Sequence, residues 1–242
     1  MNQERPVALV TGANRGIGLE IARQLAQAGL IVLMGARDPD RGQKAANDLA
    51  ADGLETAYVP LDVTDEASIA AAAEHIAASR DRLDILVNNA AIGAVADELP
   101  GKVSLSAVRR IIESHFIGHL GVTQAMLPLL HRSAAGRIIN LSSPSGSMAF
   151  AQDPASPFYA FRLIGYDASR AALNMLTLQL VAELEGSAIT VSAAVPGFAK
   201  SDLTGGQGAM TAGDGGKLPV QYALSKDNLT GRFVGPGTST RW

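Results

Sequence analysis

The sequence predicts one doubly wound α/β domain over residues 1–242, with a parallel sheet of roughly seven strands. Three observations predict it. Short runs rich in Val, Ile and Leu alternate with longer helix-patterned segments along the chain. The first such run leads into a glycine-rich turn and then a helix. No linker, repeat or low-complexity tract divides the chain. Repeated strand–helix units imply right-handed crossovers, with helices on both faces of the sheet.

Taken in order, VALV (7–10) is the first strand, and the helix after the turn runs to about Ala28, where Gly29 stops it. LIVLM (30–34) is the second strand, followed by a polar, alanine-rich helix from about Pro39. TAYVPL (56–61) is the third. Thr64 then caps DEASIAAAAEHIAAS, whose early acidic residues offset the helix dipole. LDILVNNA (83–90) is a fourth strand buried on both faces, because its apolar run barely alternates. A long helix covers about Ser104 to Leu130, and RIINLSS (137–143) is the fifth strand. The helix containing Tyr166 runs to about Leu184, and ITVSAAV (189–195) ends in a Pro-Gly turn. The glycine-rich stretch 205–216 reads as a mobile loop, before a short helix ending near Leu224 and a last strand in GRFVGP.

Composition narrows the function. The 242 residues are 47% hydrophobic, enough for a full core, and the net charge of −3 gives no footprint for nucleic acid or an anionic membrane. The chain has no cysteine, which excludes disulfides, thiolate catalysis and cysteine-ligated metal. No signal peptide or long apolar span is evident, so a cytoplasmic location is expected. His115 and His119 stand four apart, but no HExxH pattern or carboxylate cluster accompanies them, so no metal is expected.

In such folds ligands bind beyond the carboxyl ends of the strands. The first end carries TGANRGIG, where Gly12, Gly16 and Gly18 let the backbone turn sharply and approach a pyrophosphate at a helix start. The spacing is GxxxGxG rather than GxGxxG. At the second strand's end, MGARD offers Arg37, and Arg15 lies in the glycine turn; two guanidiniums suit a 2′-phosphate and favour NADP over NAD, with Asp38 weighing against. Asp62 and Val63 follow the third strand, where a carboxylate can accept from an adenine amino group, although LDVTD also reads as a strand end and helix cap. In VNNA the asparagines suit either loop-tying bonds or ligand contact.

The fifth strand delivers Ser142 and Ser143 to the same edge. No GxSxG elbow or hydrolase triad surrounds them. Ser143 instead suits a donor to a substrate carbonyl, with Tyr166 supplying a proton. Tyr166 and Arg170 are one helical turn apart, and a cation beside a phenol makes it a better acid.

Together TGANRGIG, NNAA, NLSSPSG, YDASR and PGFAKSD resemble the short-chain dehydrogenases/reductases, in order and over essentially the whole chain. The long spacer between Ser143 and Tyr166 is similar to that of the carbonyl-reductase-like branch. The resemblance implies a Rossmann-type fold and NADPH-dependent reduction of aldehydes, ketones or quinones. It implies cofactor contacts at Gly12, Asn14, Arg15, Gly16, Ile17, Gly18, Arg37, Asp62, Val63, Asn88, Ala90, Tyr166, Arg170, Pro196, Gly197 and Ser201. It implies catalytic roles for Ser143, Tyr166 and Arg170. The partner it implies is a small-molecule carbonyl or alcohol, bound by a monomer or homo-oligomer.

Two departures from the family pattern stand out. Arg170 replaces the lysine of YxxxK and keeps the charge but does not readily release a proton. His115 aligns with the family's active-site asparagine, whose role is largely to hold a water; with an ordinary pKa near 6.5 it is a substitute proton donor, or else a space-filler between helices. Those departures motivate the alternative, a catalytically impaired nucleotide-binding regulator or scaffold. Phe150, Phe158, Tyr159 and Phe161, with the loop Phe198–Met210, are expected to shape an apolar pocket or simply to pack the spacer.

Overall fold

A computed structural model describes residues 5–93, 96–156, 159–160, 162–201, 204–235, 238–239 and 242. Seven parallel strands form its sheet: β1 (Val7–Thr11), β2 (Ile31–Ala36), β3 (Thr56–Pro60), β4 (Ile85–Asn88), β5 (Arg137–Leu141), β6 (Thr190–Ala194) and β7 (Arg232–Gly235). A two-residue strand, β8 (Thr238–Ser239), adds an antiparallel edge to β7. The order β3-β2-β1-β4-β5-β6-β7-β8 reverses direction at β1 and β4, which opens a crevice at their carboxyl ends.

Alternate strand residues feed two apolar layers. On one face Leu9, Leu86, Ile138 and Val191 pack under α3 (Glu66–Ser79), α5 (Gly118–Leu130) and α7 (Ile164–Glu183). On the other, Val10, Met34, Val87 and Ile139 pack under α1 (Gly16–Gln27), α2 (Pro39–Ala51) and α8 (Ala212–Leu224). Both faces are covered, which is why the inner strands β1, β2 and β4 read as nearly unbroken apolar runs. No helix among the described residues is long and apolar enough to cross a membrane.

Several boundaries differ from the sequence reading. Asp65, not Thr64, caps α3, accepting from Ala67 N at 3.0 Å; Thr64 is engaged by the Asp62 carboxylate through both its N–H and its hydroxyl. The 205–216 loop is shorter than expected, because α8 begins at Ala212 behind a Thr211–Asp214 capping box. Gly215 and Gly216 lie inside that helix, where added methyl groups would crowd Ala199 and the Gln24 side chain of α1. Close helix packing there offsets the poor helix propensity of glycine. The long helix divides into α4 (Leu105–Ile112), a π-helical turn at Glu113–Ile117 and α5. The spacer before Tyr166 contains a 3₁₀ turn, Pro144–Gly146, and the short α6 (Met148–Gln152).

Candidate active site

A cleft of about 580 Å³ opens at the β1/β4 crevice. Gly12, Asn14, Arg15, Gly16, Ile17 and Gly18 line one side, and Ala36 at the end of β2 is followed by Arg37, Asp38 and Arg41. Asp62 and Val63 line it from the end of β3, Ala90, Ile92 and Ser114 from the β4 side, and Lys200 and Ser201 from the loop after β6. Gly12 has φ 65, and a Cβ there would lie 2.9 Å from the Ala90 Cα. At Gly18 a Cβ would lie 2.3 Å from Asn89 Nδ2 and 2.4 Å from the Gly12 carbonyl oxygen. Only glycine lets α1 start this close to the turn, leaving its first N–H groups aimed at the cleft.

Asn88 does not line this cleft. Strand alternation turns it toward the helices, fully buried, where its Nδ2 donates to Thr123 Oγ1 and Asn140 Oδ1, both at 2.9 Å. Asn140 Nδ2 continues the chain to Thr177 Oγ1 at 2.9 Å. Asn89 faces the cleft instead; its Nδ2 donates to Thr11 O at 2.8 Å and Gly12 O at 3.2 Å, which fixes the glycine turn. Asp38 caps α2, accepting from Arg41 N at 3.0 Å and pairing with Arg41 Nε at 3.3 Å. Its carboxylate is thus engaged with α2, and Arg41 is a cleft cation the sequence reading missed, recognisable by its spacing three residues after a cap. Asn89 and Lys200 were missed as well. Pro196 and Gly197 follow β6 at the same sheet edge but do not line the cleft.

Beyond the Ile92 and Ser114 end of the cleft lie Tyr166 and Arg170. The Arg170 guanidinium carbon sits 4.8 Å from the Tyr166 ring centroid. Arg170 is 4% exposed, and its Nη1 donates to Leu141 O at 3.0 Å, while its Nε is buried with no hydrogen-bond partner among the described residues. Gly146 admits it: a Cβ there would come within 2.6 Å of the Arg170 Cβ. This packs the Ser143 turn onto α7. Ser143 Oγ lies 3.1 Å from Ser145 Oγ and accepts from Ser145 N at 3.3 Å.

His115 meets the edge of the Tyr166 ring, centroids 5.8 Å apart. Ser169 Oγ spends its hydrogen on Tyr166 O at 2.6 Å, so it accepts from His115 Nδ1 at 3.1 Å. The bare Nε2 then accepts from Ile92 N at 3.1 Å, an assignment made from the network. Burial first, then Arg170 and His119, lower the His115 pKa to about 2. The imidazole is therefore neutral near pH 7, with both nitrogens bonded within the protein. Such a ring carries no imidazolium proton to give, which favours the space-filling alternative over the substitute proton donor. His119 Nε2 donates to Ala90 O at 2.8 Å, and burial followed by Arg170 lowers its pKa to about 3. The two histidines thereby hold the 90–92 segment.

Of the aromatic residues expected near the pocket, Phe150 is half-buried, Tyr159 stacks under Arg162 at 4.4 Å, and Phe198 is largely exposed. Phe158 and Phe161 lie outside the described residues.

Fold and site together define a doubly wound α/β protein with a cleft at its topological switch point and a serine, a tyrosine and a buried cation at the same sheet edge. The family model for short chain dehydrogenase matches residues 6–212, and the chain belongs to that family of oxidoreductases. It is 33% identical over 238 residues to short-chain dehydrogenase anuI of Penicillium roqueforti, covering 95% of this chain and 94% of that protein. It is 30% identical over 269 residues to carbonyl reductase [NADPH] 1 of Mus musculus, covering 96% and 95%. Among solved structures it is similar to NADPH-bound carbonyl reductase from chicken fatty liver, with a TM-score of 0.86 and 29% identity, covering 99% of this chain and 100% of that one. It is also similar to Pseudomonas aeruginosa RhlG in an NADP active-site complex, with a TM-score of 0.84 and 28% identity, covering 96% and 94%.

Proposed function

We propose that the chain is an NADPH-dependent reductase of the carbonyl group in aldehydes, ketones or quinones. The observation that carries this reading is Arg170: a guanidinium, nearly fully buried, against the face of a half-buried phenol. A buried cation is costly unless something answers its charge. The negative charge that develops on the Tyr166 oxygen as its proton leaves is such an answer.

The cleft suits the cofactor. Its glycine turn leaves room for a pyrophosphate at the start of α1, and Arg37 and Arg41 stand where a 2′-phosphate would end. Lys200 brings a further cation, and Asp62 stands at the position for an adenine amino group. The Arg170 Nε, unpaired among the described residues, is suited to a ribose hydroxyl. NADPH, when bound, supplies the hydride. Pro196, Gly197 and Ser201 would border its nicotinamide end.

Ser143 turns its hydroxyl from Ser145 to the substrate oxygen and polarises the carbonyl. Tyr166 gives that oxygen a proton. Arg170 stabilises the phenolate but does not pass on a proton, so Tyr166 regains its own from solvent. His115, neutral and fixed between Ile92 and Ser169, holds the ring of Tyr166 rather than exchanging protons. The mouse and chicken relatives are named for carbonyl reduction with NADPH, which supports the same reading here.

The test is NADPH oxidation with a panel of aldehydes, ketones and quinones. Tyr166→Phe is expected to lower kcat by about 10²–10⁴-fold while thermal stabilisation by NADPH persists. An unchanged rate in that variant sinks the reading.

A further inference from the structure

We infer that Asp97 is a positioning residue that fixes the start of α7 and, through it, the Tyr166 phenol. The inference rests on reading Tyr166 as the proton donor. Helix α7 receives no side-chain bond from its own N-cap residue, Leu163. Asp97, 68 residues before Gly165, supplies it: Oδ1 accepts from Gly165 N at 2.9 Å and Oδ2 from Tyr166 N at 2.7 Å. One carboxylate thus satisfies two of the helix's orphan donors and sits at the positive end of its dipole.

The surroundings are built for that contact. Asp97 is 6% exposed, so little water competes for its oxygens. A Cβ at position 165 would lie 3.2 Å from Asp97 Oδ1 and 3.0 Å from Ile111 Cδ1, so glycine permits the approach. Ile164 N donates to Glu98 O at 3.3 Å, a second strap from the same segment. Ala96 has φ 64 and is the one non-glycine residue with positive φ among the described residues. Such a conformation is unfavourable for an L-residue and persists where the surroundings over-determine it. It stands immediately before the carboxylate that must turn inward.

Tyr166 is therefore held at both ends of its backbone, its N–H by Asp97 and its carbonyl by Ser169. The Ser169 bond is local and travels with the helix. The Asp97 bond ties the backbone of Tyr166 itself to the loop after β4, one residue pair beyond the Ile164–Glu98 strap. Without it the first turn frays and the phenol moves relative to the substrate oxygen, and misplacement by about 1 Å costs on the order of 10²-fold in rate.

The experiment compares Asp97→Ala and Asp97→Asn in the full chain. Asp97→Ala is expected to lower kcat at least about tenfold, with KM and NADPH-induced thermal stabilisation little changed. Asp97→Asn, which keeps one acceptor oxygen, is expected to recover part of that loss. Amide hydrogen exchange at Gly165 and Tyr166, measured without cofactor, is expected to quicken in both variants, more in the alanine. In a Tyr166→Phe background Asp97→Ala is expected to cost nothing further in residual rate.

A kcat within about twofold of the parent, unchanged exchange at 165–166, or an equal loss in both backgrounds overturns the proposal. If Asp97→Ala does not fold, Asp97→Asn is judged by the same three criteria. Full activity in Tyr166→Phe overturns the proton-donor reading, and with it this inference. An inactive Tyr166→Phe beside a fully active Asp97→Ala overturns the role of Asp97 alone.

Discussion

The turn after β1 and the helix carrying Tyr166 bring polar groups to the same sheet edge by opposite means. Around the turn, polar groups find protein partners. Thr11 Oγ1 donates to Val87 O and accepts from the N–H groups of Asn89 and Ala90, and Asn89 Nδ2 holds the Thr11 and Gly12 carbonyls. Around α7, Arg170 Nε, His119 Nδ1 and Asn88 Oδ1 are buried without hydrogen-bond partners among the described residues. Buried polar atoms left unpaired are costly, and sites that keep them are usually sites of chemistry. The glycine-turn side is thus a closed mould, and the α7 side keeps hydrogen-bonding capacity in reserve.

Filling the mould is the most damaging way to break that contrast. In Gly18→Ala the new methyl group meets Asn89 Nδ2 and the Gly12 carbonyl, and overpacking of this kind costs up to about 3 kcal/mol. Expressed in binding, that is a rise in NADPH Kd of about a hundredfold, read by fluorescence titration. Removing charge rather than shape should do slightly less. The double change Arg37→Ala with Arg41→Ala should narrow the preference for NADPH over NADH by about thirtyfold, since each exposed charge-assisted bond contributes about 1 kcal/mol. Retained NADPH preference in the double variant would remove both arginines from the phosphate site.

The reserve side is sharpened by acid. His115 and His119 take up protons near pH 6.5 when unfolded but only near pH 2 and 3 in the folded protein. The unfolded chain therefore binds more protons as pH falls below about 6.5, and stability present above that pH is lost. Together the two rings should cost about 2 kcal/mol between pH 6.5 and 5.5. Denaturant unfolding across that range measures it. His119→Gln should remove about half of the slope, and an unaltered slope would show that His119 is not held neutral.

Most of the element order was legible because the inner strands β1, β2 and β4 are apolar on both faces and each crossover is a recognisable helix. The exceptions have local causes. Two capping residues, Thr64 and Asp65, stand side by side, and the competition was decided by Asp62, which engages Thr64. Three glycines in 213–216 argue for loop until the neighbouring α1 is known. Asn88 and Asn89 are alike as letters; which one faces the cleft depends on how β4 pairs with β1 and β5. Ser143, Tyr166, Arg170, Arg15 and Arg37 were visible within motifs, whereas Arg41 stands outside them and Lys200 was missed inside PGFAKSD. Asp97 was not visible, because a lone loop aspartate gains its meaning from amides 68 and 69 positions away. His115 was recognised as a substitution, but its charge state depends on burial that one sequence does not display.

The polar chain from Thr123 through Asn88 and Asn140 to Thr177 has a mechanical consequence. It stitches α5 to β4, β4 to β5 and β5 to α7 inside an otherwise oily layer. A slip of either helix along the sheet would strand an amide in hydrocarbon, so neither can drift while its neighbour stays. The histidines ride on one of these rods, or just ahead of it, and the phenol and guanidinium on the other. Their spacing is thereby locked to the strands beneath, well away from the solvent-facing loops.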